Sequence, residues 1–102
     1  MFACLFLGDS VAVDTAATLG KTLSDRCAIV VRKGASTAAI PEMAPAAAFY
    51  TAVVSAGTND AASADLATRL DRLRLSVSAR YVLWILPYDR RAAQFVRWTA
   101  AR

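Results

Sequence analysis

Histidine occurs nowhere in the 102 residues. Its absence removes the commonest general base, the commonest zinc ligand and any Ser-His-Asp triad built from this chain alone. Cysteine is scarce: Cys4 and Cys27 are the only two, both in apolar strand-like runs and without CxxC spacing. They read as buried free thiols rather than as a disulfide or a metal site. No run of about 18 apolar residues is present to span a membrane. The opening MFACLFLGD is apolar only briefly, lacks a basic leader and runs into a turn, so it reads as a first strand and not as a signal peptide. A cytoplasmic protein is expected, with nothing that demands an oxidising compartment. No repeat, linker or low-complexity tract divides the chain, so residues 1–102 read as a single domain.

Acidic residues thin out toward the end of the chain. From Arg69 onward eight arginines face only Asp71 and Asp89, and the net charge is +4. These arginines scatter over two expected helices and a strand start instead of clustering, which is the pattern of solvated helix faces; nucleic acid is not expected as a partner. The composition, 57% hydrophobic and 20% charged, favours a folded chain. Much of the apolar share is alanine, which buries little surface per residue, so the core is expected to be thin.

The apolar runs are short and continuous, as in strands buried on both faces. They cover residues 2–7, 27–31, about 50–55 and 81–86, the last stopped by Pro87. Helical spacing appears from Val11 to about Thr22, through Ala12, Ala16 and Leu19. It returns from about Ala61 to Ser76, through Leu66, Leu70, Leu73 and Val77, and again from about Arg91 to Ala101, through Ala92, Phe95, Val96 and Thr99. Asn59 or Asp60 is the expected cap of the middle helix, and Asp65 stands four residues before Arg69 as an ion-pair partner. Pro41 and Pro45 leave room only for short helical pieces. Trp84 and Trp98 read as core residues. Strands alternating with helices predict an α/β fold with a parallel sheet sandwiched by helices. Three polar turns, Gly8-Asp9-Ser10, Lys33-Gly34-Ala35-Ser36 and Gly57-Thr58-Asn59-Asp60, end successive strands, where such sheets bind ligands.

LFLGDSVA, KGAST and VVSAGTND at these strand ends resemble the first three sequence blocks of the SGNH (GDSL) hydrolase family, and LWILPYDRR is similar to the fourth-strand segment of its thioesterase and lysophospholipase branch. Gly-Asp-Ser after strand one together with Gly-x-Asn-Asp after strand three is the specific part of the resemblance. It implies a three-layer α/β sandwich of flavodoxin-like kind, with sheet order 2-1-3-4 and without the family's fifth strand. The implied activity is ester or thioester hydrolysis, with a small ester or acyl compound as substrate and no cofactor or metal. Ser10 takes the place of the nucleophile, and Ser10, Gly34 and Asn59 those of the oxyanion donors. Asp9, Asp60 and Arg90 are candidates for substrate contact, Asp9 as a residue that bonds the loops rather than as a base.

Each has an ordinary structural role as well: Ser10 as a helix cap, Gly34 as a turn glycine, Asn59 with Asp60 as a capping pair, and Arg90 and Arg91 as solvated helix-start charges. The family's Asp-x-x-His block has no counterpart before Arg102, so the resemblance implies a weakly active or inactive relative, or one that takes its histidine from another polypeptide. A carboxylate base such as Asp14, Asp60 or Asp89 is the weakest option, because an ordinary carboxylate hardly activates an alcohol. A non-catalytic binding or assembly protein on the same fold is the competing reading. Without a fifth strand, strand four becomes an exposed edge, and a second copy or another protein is expected to cover it.

Overall fold

The structure, a computed structural model, describes residues 2–9, 11–12 and 26–101. Ser10 and Asp14, and most of the helix expected over residues 11–22, lie outside the described residues. In chain order the elements are β1 (Phe2–Gly8), β2 (Cys27–Val31), α1 (Ile40–Met43), β3 (Phe49–Ser55), α2 (Leu66–Ser76), β4 (Ala79–Ile85) and α3 (Arg90–Ala101). The four strands form one all-parallel sheet in the order β2-β1-β3-β4. This is the α/β arrangement and strand order expected from the continuous apolar runs.

Register builds the core. Leu5 lies beside Ala52, which lies beside Val82; Leu7, Val54 and Trp84 follow in the next row. The leucine stripe of α2 (Leu66, Leu70, Leu73) and the α3 residues Ala92 and Val96 join these side chains in one buried cluster. Each buried leucine contributes about 1.5–3 kcal/mol relative to its exposed state. Pro41 sits at the start of the single-turn α1, whose Ile40 is buried in the same cluster.

Three expectations are corrected. Cys4 and Cys27 are not free thiols but form a disulfide. They are 23 residues apart in sequence, yet β1 and β2 are neighbours in a register that sets them opposite each other with Cα atoms 4.5 Å apart. Trp98 is 53% exposed; it stands two residues from the buried Val96, on the far side of α3, and makes a T-shaped pair with Phe95 with ring centroids 5.3 Å apart. Trp84, by contrast, is half-buried and packs on the core. Finally, α2 begins at Leu66 and not near Ala61, and Asp60 does not cap it. The Arg91 guanidinium donates to the Ala61 and Ser63 carbonyls at 2.6 and 3.0 Å, holding that stretch in turns.

Among the described residues β4 is an edge of the sheet, as expected. Val82 and Trp84 pack on the core, while Tyr81 and Leu83 on the opposite face are 49% and 58% exposed. Among the described residues no helix is long and apolar enough to cross a membrane.

Candidate functional site

In a parallel sheet all strands end on the same side, so the loops after β1, β2 and β3 meet at one rim. Glycine is required where the first loop leaves the sheet. A Cβ on Gly8, whose φ is +155°, would lie 2.2 Å from the Ser55 carbonyl oxygen. The close approach that glycine permits lets the Asp9 N–H donate to that oxygen at 3.2 Å. The Asp9 side chain is fully buried. Its Oδ1 accepts the Ser55 hydroxyl at 2.8 Å and the Val11 N–H at 3.1 Å, while Oδ2 has no hydrogen-bond partner among the described residues.

The second loop starts with the Arg32 N–H donating to the Gly8 carbonyl at 3.0 Å and turns back as Ala35 N–H donates to the Arg32 carbonyl at 3.2 Å. Gly34 has φ +81° within this turn, a left-handed conformation that accounts for glycine there.

The third loop is fastened to the second by two side chains. Asn59 Nδ2 donates to the Ala35 carbonyl at 2.9 Å, which engages one of the two hydrogens of its amide. Asp60 Oδ1 accepts the Thr37 hydroxyl at 2.8 Å; Oδ2 accepts the Thr37 N–H at 3.1 Å and the Arg69 guanidinium at 2.9 Å. Arg69 reaches Asp65 with its Nε at 2.9 Å, four residues back along α2. Hydrogen bonds to Asp60 and then Asp65 raise the Arg69 pKa above its ordinary value, so the cation is secure. The Asp65 pKa is lowered, first by the Ser63 hydroxyl and further by Arg69.

The expected site residues thus divide. Asp9, Gly34, Asn59 and Asp60 gather on the three adjoining loops, with Asn59 bonded to the residue that follows Gly34. Asp60 spends both oxygens on tying loops together. Arg90 stands apart, beyond the fourth strand, in a cavity with Tyr88 and Arg97. Asp89 caps α3, its Oδ1 accepting the Ala92 N–H at 2.8 Å.

Sequence reasoning missed Ser55 and Thr37, and it foresaw Arg69 as the partner of Asp65, which it is, but not as the partner of Asp60 that helps to hold the rim together. The signals were a serine closing a largely apolar strand, a threonine after the second-loop glycine, and an arginine one turn into the helix that follows Asp60. None of them stands out without the strand register. No family model matches this chain, and neither a curated protein nor a solved structure matches it.

Proposed function

We propose that the rim is an ester- or thioester-binding site of SGNH-like design, with Ser10 as nucleophile and with Gly34 and Asn59 as oxyanion donors. Its turnover on its own is low, because the 102 residues hold no histidine. The reading rests on the fastening of the second and third loops, in which Asn59 is bonded to the Ala35 carbonyl beside Gly34. Asp9 supports it from the first loop, bracketing Ser10 in sequence and tied to Ser55 of β3. Serine hydrolases stripped of their triad keep about 1000-fold acceleration over water from oxyanion donors and binding alone. The missing histidine favours the second reading, a non-catalytic acyl-binding protein on the same scaffold.

A fluorophosphonate probe separates the two. Catalytic design predicts slow labelling at Ser10, abolished in Ser10→Ala and reduced about 100-fold or more in Asn59→Ala. Absence of labelling together with retained ligand binding selects the binding protein.

We also propose that a second copy covers β4. Among the described residues its outer edge is unpaired, Tyr81 and Leu83 are exposed, and Arg80 is the only charge in Ala79–Ile85 to oppose pairing. Light scattering at micromolar concentration then gives a dimer, and Leu83→Lys a monomer; a wild-type monomer contradicts the proposal. A cytoplasmic setting would expose the Cys4–Cys27 bond to reduction, so the redox state of the two sulfurs in native cells decides the location.

A further inference from the structure

The loop after β4 and the start of α3 form a second surface feature, distinct from the rim just described. A cavity of about 410 Å³ is lined by Leu86, Pro87, Tyr88, Arg90, Gln94 and Arg97, among others. That volume suits a small molecule. Its charge is of one sign. Neither Arg90 nor Arg97 has a carboxylate partner among the described residues, whereas Arg69 is held by Asp60 and Asp65. Arg91, next to Arg90 in sequence, is likewise committed, to the Ala61 and Ser63 carbonyls and to the face of Phe95 with its guanidinium carbon 4.8 Å from the ring centroid. Asp89 is the only acid beyond Asp71 in the sequence, and its Oδ1 caps the helix.

Arg90, Gln94 and Arg97 recur at i, i+4 and i+7, so they stand along one face of α3. With a rise of about 1.5 Å per residue, the two arginines start roughly 10 Å apart along the helix, near enough for both side chains to close on one anionic group. Two guanidiniums offer paired N–H donors that match a dianionic, three-oxygen phosphate better than a single carboxylate. Leu86, Pro87 and the fully exposed Tyr88 ring supply an apolar wall beside them. The cavity lies at the carboxyl end of β4, where open α/β sheets take their ligands.

We propose that this cavity binds a small organic phosphate, with Arg90 and Arg97 on the phosphate and Leu86, Pro87 and Tyr88 against its apolar part. The site does not depend on Ser10 and stands apart from the acyl-transfer reading. Arg72, Arg74 and Arg80 lie outside the cavity, which favours a compact ligand over a nucleic-acid strand.

The test is calorimetric titration of the full chain with phenyl phosphate. Wild type binds it more tightly than inorganic phosphate and does not bind phenol. Arg90→Gln and Arg97→Gln each weaken binding about tenfold, as the loss of a charge-assisted hydrogen bond implies. Arg72→Gln, an equal loss of charge on α2, changes it less than twofold. Failure of phenyl phosphate to bind overturns the proposal, as does equal affinity in the Arg90 and Arg97 variants. So does a single-stranded oligonucleotide that binds more tightly and is weakened as much by Arg72→Gln as by Arg90→Gln.

Discussion

Two carboxylates on the same rim differ in how completely they are bonded. Asp60 receives three hydrogen bonds, one of them from a guanidinium, and both its oxygens are engaged. Asp9 is more deeply buried, yet its Oδ2 has no partner among the described residues. Buried polar atoms are almost always bonded, and exceptions concentrate at sites of function or of unrecorded solvent. The difference assigns Asp60 to holding the second and third loops and makes Asp9 the carboxylate with acceptor capacity left over, next in sequence to Ser10.

The largest expected effect comes from Asp60→Ala. It leaves the N–H and the hydroxyl of buried Thr37 without their acceptor and Arg69 with Asp65 alone, and should cost roughly 3–4 kcal/mol in urea unfolding, nearly all of it from the two Thr37 donors. A loss below 1 kcal/mol would mean that the two loops are held by something other than Asp60. Reduction of Cys4–Cys27 asks whether β2, and with it the second loop, also depends on the staple at the other end of that strand. The bond closes a loop of 23 residues, for which the chain-entropy estimate is about 3 kcal/mol; unfolding with and without dithiothreitol measures it.

On the Asp9 side, Ser55→Ala removes one of the two donors to Oδ1. The expected cost is about 1–2 kcal/mol by urea unfolding. A cost as large as that of Asp60→Ala would erase the contrast between the two carboxylates. The smallest effect belongs to Asp65, on the exposed side of Arg69. Its folded pKa lies below the ordinary 3.8, so its contribution is present above about pH 4 and is lost as pH falls through the folded value. Asp65→Asn should flatten that acid-side slope slightly and leave the urea midpoint at neutral pH nearly unchanged, because an exposed ion pair is screened by solvent.

Much of this architecture was legible in the sequence. Continuous apolar runs gave the strands to within two residues, and the leucine stripe marked the buried face of α2, because burial on both faces of a parallel sheet and on one face of a helix imposes those periods. Asp9, Gly34, Asn59 and Asp60 were legible as turn residues at strand ends. What the sequence could not show was everything set by register between distant segments. The Cys4–Cys27 bond depends on β1 and β2 being neighbours with those two residues opposite. The start of α2 depends on Arg91, which is 30 residues from Ala61. The separation of Arg90 from Arg91 depends on which side of α3 meets the third loop. Local patterns carry no information about these pairings.

The central claim is that the second and third loops form one fastened unit through Asp60. Amide hydrogen exchange at Thr37, read residue by residue in wild type and in Asp60→Asn, tests it most directly. The account predicts a Thr37 amide protected well above the unfolded-chain rate in wild type and at least tenfold less protected in the variant, while amides in the centre of β3 are unchanged. A Thr37 amide that exchanges freely in wild type, or equally in both proteins, would contradict it.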